Sequence, residues 1–192
     1  MKDIFAKHSA ELHEVTKNLD DFHEQVLTVV QQLKEAYSKG NKVLIAGNGG
    51  SAAEAQHFSD EMVGKYKADR RPYPAIALTA DSAVLTCIGN DWGYDDVFAR
   101  QATALGNEGD IFIGLTTSGS SKNILKAANA ARDAGMTVIA FTGPSGALTE
   151  LADYAIESPS KTGARIQELH LHAIHLICEA FEPDNIGDEE TL

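Results

Sequence analysis

Apolar positions between residues 4 and 38 recur at steps of three and four, through Leu12, Val15, Leu19, Phe22, Val26, Val29, Val30, Leu33 and Tyr37. That is the period of an amphipathic helix. Two helices, or one bent helix, are therefore expected to open the chain, the second stopping at Gly40-Asn41, where both residues tolerate a left-handed cap. Beyond that point the pattern changes. Short apolar runs at 42–46, 75–78, 111–115, 137–141 and 154–157 alternate with helical stretches at about 51–66, 82–88, 94–104, 121–134, 147–152 and 164–181. Such alternation predicts right-handed βαβ units and an α/β fold: a doubly wound parallel five-stranded sheet flanked by helices, with the N-terminal helices preceding it. No linker interrupts residues 1–192, so one domain is expected. Residues 1–40 serve packing and oligomerisation, and the acidic, aperiodic tail 182–192 is expected to be loose.

Composition narrows the partners. The chain has 43% hydrophobic and 23% charged residues, which suits a globular protein. Its net charge of -12 argues against a sequence-independent grip on nucleic acid, which needs a basic face, so any anionic substrate must be held by local donors. Cys87 and Cys178 lie far apart in apolar runs and read as buried thiols in a reducing cytoplasm. The start of the chain has no secretory apolar core, and no apolar run approaches the ~18 residues of a membrane span. The N-terminal helices can cover the sheet only in part. That leaves apolar surface for another subunit, and a homo-oligomer is expected.

Two turns carry anion chemistry. The run 42–46 enters Gly47-Asn48-Gly49-Gly50-Ser51 at the start of a helix, where backbone N–H groups and the helix dipole can hold phosphate. Gly47-x-Gly49-x-x-Ala52 also satisfies the dinucleotide fingerprint. The acidic residue of that fingerprint should stand about 20 residues on. Asp81, which ends the next apolar run, lies 34 positions beyond Gly47. The second turn, Thr116-Thr117-Ser118-Gly119-Ser120-Ser121, places five hydroxyls after the third run. Two hydroxyl- and glycine-rich turns at strand ends fit one crevice holding a phosphosugar better than a nicotinamide nucleotide.

The helix launched from the first turn carries His57 and Glu61, four residues apart and sharing a face roughly 6 Å apart, where one metal can bridge them. Asp60, three residues from His57, is the competing carboxylate. The last helical stretch carries Gln167, Glu168, His170, His172 and His175. His170 and His172 point in different directions. Gln167 and His175 stand about 80° apart around a helix, so they flank a common groove only if it cuts across the helix axis. Glu168 is better aligned with His175. Spacing leaves these alternatives open.

Together, Gly47 to Ser51, His57 to Glu61, Gly89-Asn90-Asp91, Thr116 to Gly119 and Arg165-Ile166-Gln167-Glu168 to His175 resemble the sugar isomerase (SIS) domain family, and within it the phosphoheptose isomerases. The resemblance covers nearly the whole chain. It implies a flavodoxin-like sheet and conversion of sedoheptulose 7-phosphate to D-glycero-D-manno-heptose 7-phosphate through an enediol, an early step of heptose synthesis for bacterial lipopolysaccharide. It further implies one zinc ion per subunit on His57, Glu61, Gln167 and His175. The implied substrate contacts are Asn48, Gly49, Gly50, Ser51, Glu61, Asn90, Asp91, Thr116, Thr117, Ser118, Ser121 and Gln167. Lys65 and Ala164 stand where some relatives carry arginine and aspartate. Enediol chemistry needs a base and an acid, and Glu61 and His175 are expected in those roles. The expected assembly is a homotetramer with sites at subunit interfaces. The competing class is a non-catalytic module of the same fold, a sugar-phosphate sensor or a regulator bound to a replication initiator, which would not need His57, Glu61 and His175 together.

Overall fold

Strands β1 (Val43–Gly47), β2 (Ala75–Ala77), β3 (Ile111–Thr116), β4 (Thr137–Thr142) and β5 (Tyr154–Glu157) form one parallel sheet in the order β2-β1-β3-β4-β5. The structure, a computed structural model, describes residues 1–185. Val43 stands opposite Ala75 on one side and Ile111 on the other, Ile111 opposite Thr137, and Ile139 opposite Tyr154. β1 and β3 are buried along their whole length, which is why they read as unbroken apolar runs rather than as alternating ones.

Successive side chains of a strand point to opposite faces, and two cores result. Val43, Ile45, Ile111, Ile113, Ile139 and Phe141 face one layer of helices, α2 (Asp20–Ser38), α3 (Gly50–Val63) and α8 (Gly163–Ala180). Leu44, Ala46, Phe112, Val138 and Ala140 face the other, built from α4 (Ser82–Asp91), α6 (Lys122–Asp133), α7 (Ala147–Leu151) and the Val97-Phe98 segment that leads into α5 (Ala99–Leu105). The first helix, α1 (Lys2–Val15), buries no residue. It is tied down by polar contacts: Arg165 Nη1 donates to the His8 carbonyl (2.9 Å) and Thr162 Oγ1 to Glu11 (2.5 Å). Among the described residues no helix is long and apolar enough to cross a membrane.

Three expectations need correction. The stretch 94–104 is split into a 3-10 turn at Tyr94–Asp96 and α5, which lets Val97 and Phe98 both enter the core. Cys87 is exposed, although Cys178 is buried. α4 packs against the 3-10 turn and buries Ile88 alone, so its apolar sequence exceeds the surface it covers. Glu182, placed in the loose tail by sequence, is 5% exposed and accepts the backbone N–H groups of Lys67 (3.3 Å) and Ala68 (2.7 Å). The remainder of that tail, from residue 186 on, lies outside the described residues.

Candidate active site

The strand order reverses between β1 and β3: the chain leaves β1 toward β2 on one side, and leaves β3 toward β4 on the other. A crevice opens at such a point outside the carboxyl ends of the strands. Both sequence-predicted cradles lie there. Gly47 must be glycine, because a Cβ would come within 2.4 Å of the Ser51 carbonyl oxygen, and Gly49 adopts φ +58. α3 therefore begins at Gly50, with the N–H groups of Ser51 and Ala52 donating to the Asn48 and Gly49 carbonyls of the turn (3.0 and 3.1 Å), and Ser51 is buried beneath it.

In the second cradle Thr116 Oγ1 lies 3.3 Å from Ser118 Oγ and 3.0 Å from Ser121 Oγ, and Ser118 Oγ accepts both the N–H and the hydroxyl of Ser120. Thr117, half-buried, turns its hydroxyl toward the start of α8. An amide pair joins the two cradles. Asn48 donates to Asn123 (2.9 Å), Asn123 donates back (2.8 Å), and the Tyr94 hydroxyl adds a third bond to Asn48 (3.1 Å). Sequence reasoning passed over Asn123 and Tyr94. The signal for Asn123 was available, since it is an asparagine in register with Ala127 and Ala131 on the apolar face of α6.

The carboxyl-terminal halves of α3 and α8 meet at a pair of histidines. His57 Nε2 lies 3.1 Å from His175 Nε2 and 3.6 Å from Glu61 Oε1. Two imidazole nitrogens this close require a proton or a cation between them. Asp60 Oδ1 sits 3.3 Å from the other ring nitrogen, His57 Nδ1. The carboxylate left open by spacing thus orients the ring from behind, the usual support for a metal-bound imidazole. His57, Asp60 and Glu61 form the compact acidic group, their ligand atoms within 4.8 Å of one another. The separations of His175 and Glu61 from His57 suit the donors of a small divalent cation such as zinc. Metal bonds of ~2.0–2.1 Å put neighbouring ligand atoms of a tetrahedral ion roughly 3.3 Å apart, between the two separations from His57 Nε2.

On α8 the other histidines turn away. His170 is fully buried with Nε2 3.3 Å from the Thr142 carbonyl, and burial pushes it down to about 4. His172 stacks on Phe22 and is lowered chiefly by desolvation. Glu168 is taken by Arg165 (2.6 Å), whereas the Gln167 amide lies over Gly50, 2.5 Å from where a Cβ would stand. Glu54, between the cradle and His57 on α3, is pushed up to about 7 by burial against a smaller opposing hydrogen bond from Ser51. Asn90 donates to Asp91 (2.6 Å) at the exposed end of α4, and among the described residues no hydrogen bond joins this pair to the other predicted site residues.

The comparisons agree with this geometry. A family model described as the SIS domain matches residues 5–143. The chain is similar to phosphoheptose isomerases of Aquifex aeolicus (47% identical over 162 residues, 84% of this chain and 85% of that protein) and Helicobacter pylori (46% over 167 residues, 86% and 87%). In structure it is similar to phosphoheptose isomerase from Neisseria gonorrhoeae, with a TM-score of 0.85 and 38% identity, covering 93% of this chain and 97% of that one.

Proposed function

The chain belongs to the SIS domain family and, within it, to the phosphoheptose isomerases, and from that premise we propose that it interconverts sedoheptulose 7-phosphate and D-glycero-D-manno-heptose 7-phosphate, a step toward the heptose of bacterial lipopolysaccharide. The observation that carries this reading is the meeting of His57, Glu61 and His175 beside two anion cradles. A sugar-phosphate-binding module needs the cradles and has no use for that cluster.

The cradles, Asn48-Gly49-Gly50-Ser51 and Thr116-Thr117-Ser118 with Ser121, hold the phosphosugar through backbone N–H groups and hydroxyls. Asn90 and Asp91 contact sugar hydroxyls, and Gln167 reaches the same crevice from α8. His57, Glu61, Gln167 and His175 would hold one zinc ion, which when bound supplies Lewis-acid polarisation of the substrate carbonyl and the developing enediolate. Glu61, which cannot be ligand and base through the same oxygen, takes the proton from the carbon beside the carbonyl on its free carboxylate oxygen and returns it to the neighbouring carbon. His175 moves a proton between the two adjacent substrate oxygens. No proton is gained or lost overall, as an isomerisation requires. Catalysis takes place in a cytoplasmic homotetramer whose sites lie at subunit interfaces. Support for assembly comes from Ile4, Phe5 and Leu12, exposed on α1.

The test is turnover of sedoheptulose 7-phosphate with and without a chelator. Activity should vanish on chelation and return with zinc. Glu61→Gln should fold and lower kcat about 10²–10⁴-fold, the range of general acid–base catalysis. A folded, zinc-supplied protein that binds the sugar phosphate without isomerising it would establish the binding module instead.

A further inference from the structure

The ligand-bearing halves of the site ride on separate helices, His57 and Glu61 on α3, Gln167 and His175 on α8. Their carboxyl ends meet at a buried ion pair. Arg70 folds back from the loop after α3: Nη2 donates to the backbone carbonyl of Glu61 (2.7 Å), and Nη1 to those of Met62 and Arg71 (3.0 Å each). Its Nε lies 3.6 Å from Glu182 Oε1, with the two side chains 3% and 7% exposed. Glu182 follows Phe181, the residue that closes α8, and its carboxylate also accepts the N–H groups of Lys67 and Ala68. Around the pair, the guanidinium lies 5.1 Å from the Tyr73 ring centre, and Tyr73 packs edge-on against Phe181.

The last carbonyls of a helix lack partners within it, and a cation there satisfies them and complements the helix dipole. A buried guanidinium is a costly way to do only that, because it must be paired to be tolerated at all. Gly64 already satisfies the Asp60 carbonyl through its N–H (2.8 Å), and Tyr73 N–H supplies a bond to Met62 (2.9 Å). What Arg70 adds is a bond to the carbonyl of Glu61 itself and a charge that holds the end of α8.

We propose that Arg70 and Glu182 are positioning residues of the isomerase site: their pair ties the carboxyl end of α3 to that of α8 and so sets His57 and Glu61 against His175. Neither side chain touches substrate. The inference rests on the isomerase reading above, and acts through geometry, since a shift of about 1 Å between reacting groups can cost on the order of a hundredfold in rate.

The experiment compares the zinc-loaded parent with Glu182→Gln, Arg70→Lys and the double variant. It reads kcat and KM for sedoheptulose 7-phosphate, the zinc concentration at which metal raises the melting temperature, and amide hydrogen exchange across residues 61–70. Each single variant should lose about tenfold in kcat with KM within about twofold, and the double should lose no more than the worse single, as expected of coupled residues. Zinc should be needed at higher concentration and exchange should quicken. Lys67→Ala, which breaks the exposed Lys67–Glu179 pair (2.5 Å) between the same loop and helix, should keep the parent kcat. Folded variants that melt earlier but keep the parent kcat and zinc midpoint would overturn the proposal. So would failure of both single variants to fold, which would give the pair a folding role only. A parent that does not turn over the substrate would sink the isomerase reading, leaving zinc midpoints and exchange rates to decide on the pair.

Discussion

Glu54 shows how one side chain can be both costly and informative. One oxygen accepts from Ser51, while Oε2 is buried with no hydrogen-bond partner among the described residues. Desolvation raises the carboxyl from its ordinary 4.5 to about 7. A raised carboxylate pKa means that the folded chain holds a proton the unfolded chain has released between those two values. Ionisation therefore weakens the fold fully above about pH 7 and not at all below about 4.5. At ~1.4 kcal/mol per pH unit the penalty would be ~3 kcal/mol, and part exposure reduces it to about 1–2. Metal-free Glu54→Gln should thus gain that much stability at pH 8 and nothing at pH 4.5, read by denaturant unfolding; an equal gain at both would mean that the shift is not its origin. The same turn of helix shows what was legible in the sequence. His57 and Glu61 stood out by their spacing, but Asp60 and Glu61 are both neighbours of His57 on a helix of 3.6 residues per turn. Only the ring orientation separates the carboxylate at Nδ1 from the one at Nε2. Glu168, better aligned with His175 by spacing, is claimed by Arg165, since sequence does not show which long side chain reaches which partner.

At the scale of elements, the glycine turn separates folding from function within four residues. A Cβ at Gly47 would strike the backbone of Ser51, at 2.4 Å from its oxygen, and neither strand β1 nor helix α3 can yield. A Cβ at Gly50 would meet only the amide end of Gln167, a flexible side chain. Gly47→Ala should destabilise by about 2 kcal/mol or more, within the range for overpacking. Gly50→Ala should stay within about 1 kcal/mol of the parent, because alanine suits a helical position, while raising KM by displacing Gln167. Thermal unfolding and steady-state kinetics on the pair would check this, and a Gly50→Ala enzyme with unchanged KM would remove Gln167 from the substrate crevice. The five strands and the helices between them were readable because β1 and β3, sealed on both faces, leave unmistakable apolar runs. Cys87 and Glu182 were misjudged for a common reason. Local pattern reports how apolar a segment is, and not whether the rest of the chain covers it, which for α4 it does only at Ile88, or whether it lies beside a loop with N–H groups to satisfy, as Glu182 does.

At the scale of the molecule, α1 is a helix without a core. It buries no residue fully, exposes Ile4 (56%) and Phe5 (64%), and is held to the rest by Val15, partly buried against the core, and by Arg165 and Thr162, at the start of α8, which bind His8 and Glu11. Apolar surface of this kind is stabilised only when something covers it, at roughly 25 cal/mol per Å², and a second copy of the chain is the occupant proposed. Charge opposes that assembly. With 28 acidic against 16 basic residues the subunits repel, so added salt should strengthen association by screening. Light scattering should give the parent a mass near four times 20.6 kDa. Phe5→Glu should reduce that mass, most of all at low salt. Because α1 is anchored beside Gln167, activity should fall with the mass and recover as protein or salt concentration restores it. A parent that stays at 20.6 kDa at micromolar concentration, or a dissociated Phe5→Glu that keeps the parent kcat, would detach the active site from the assembly.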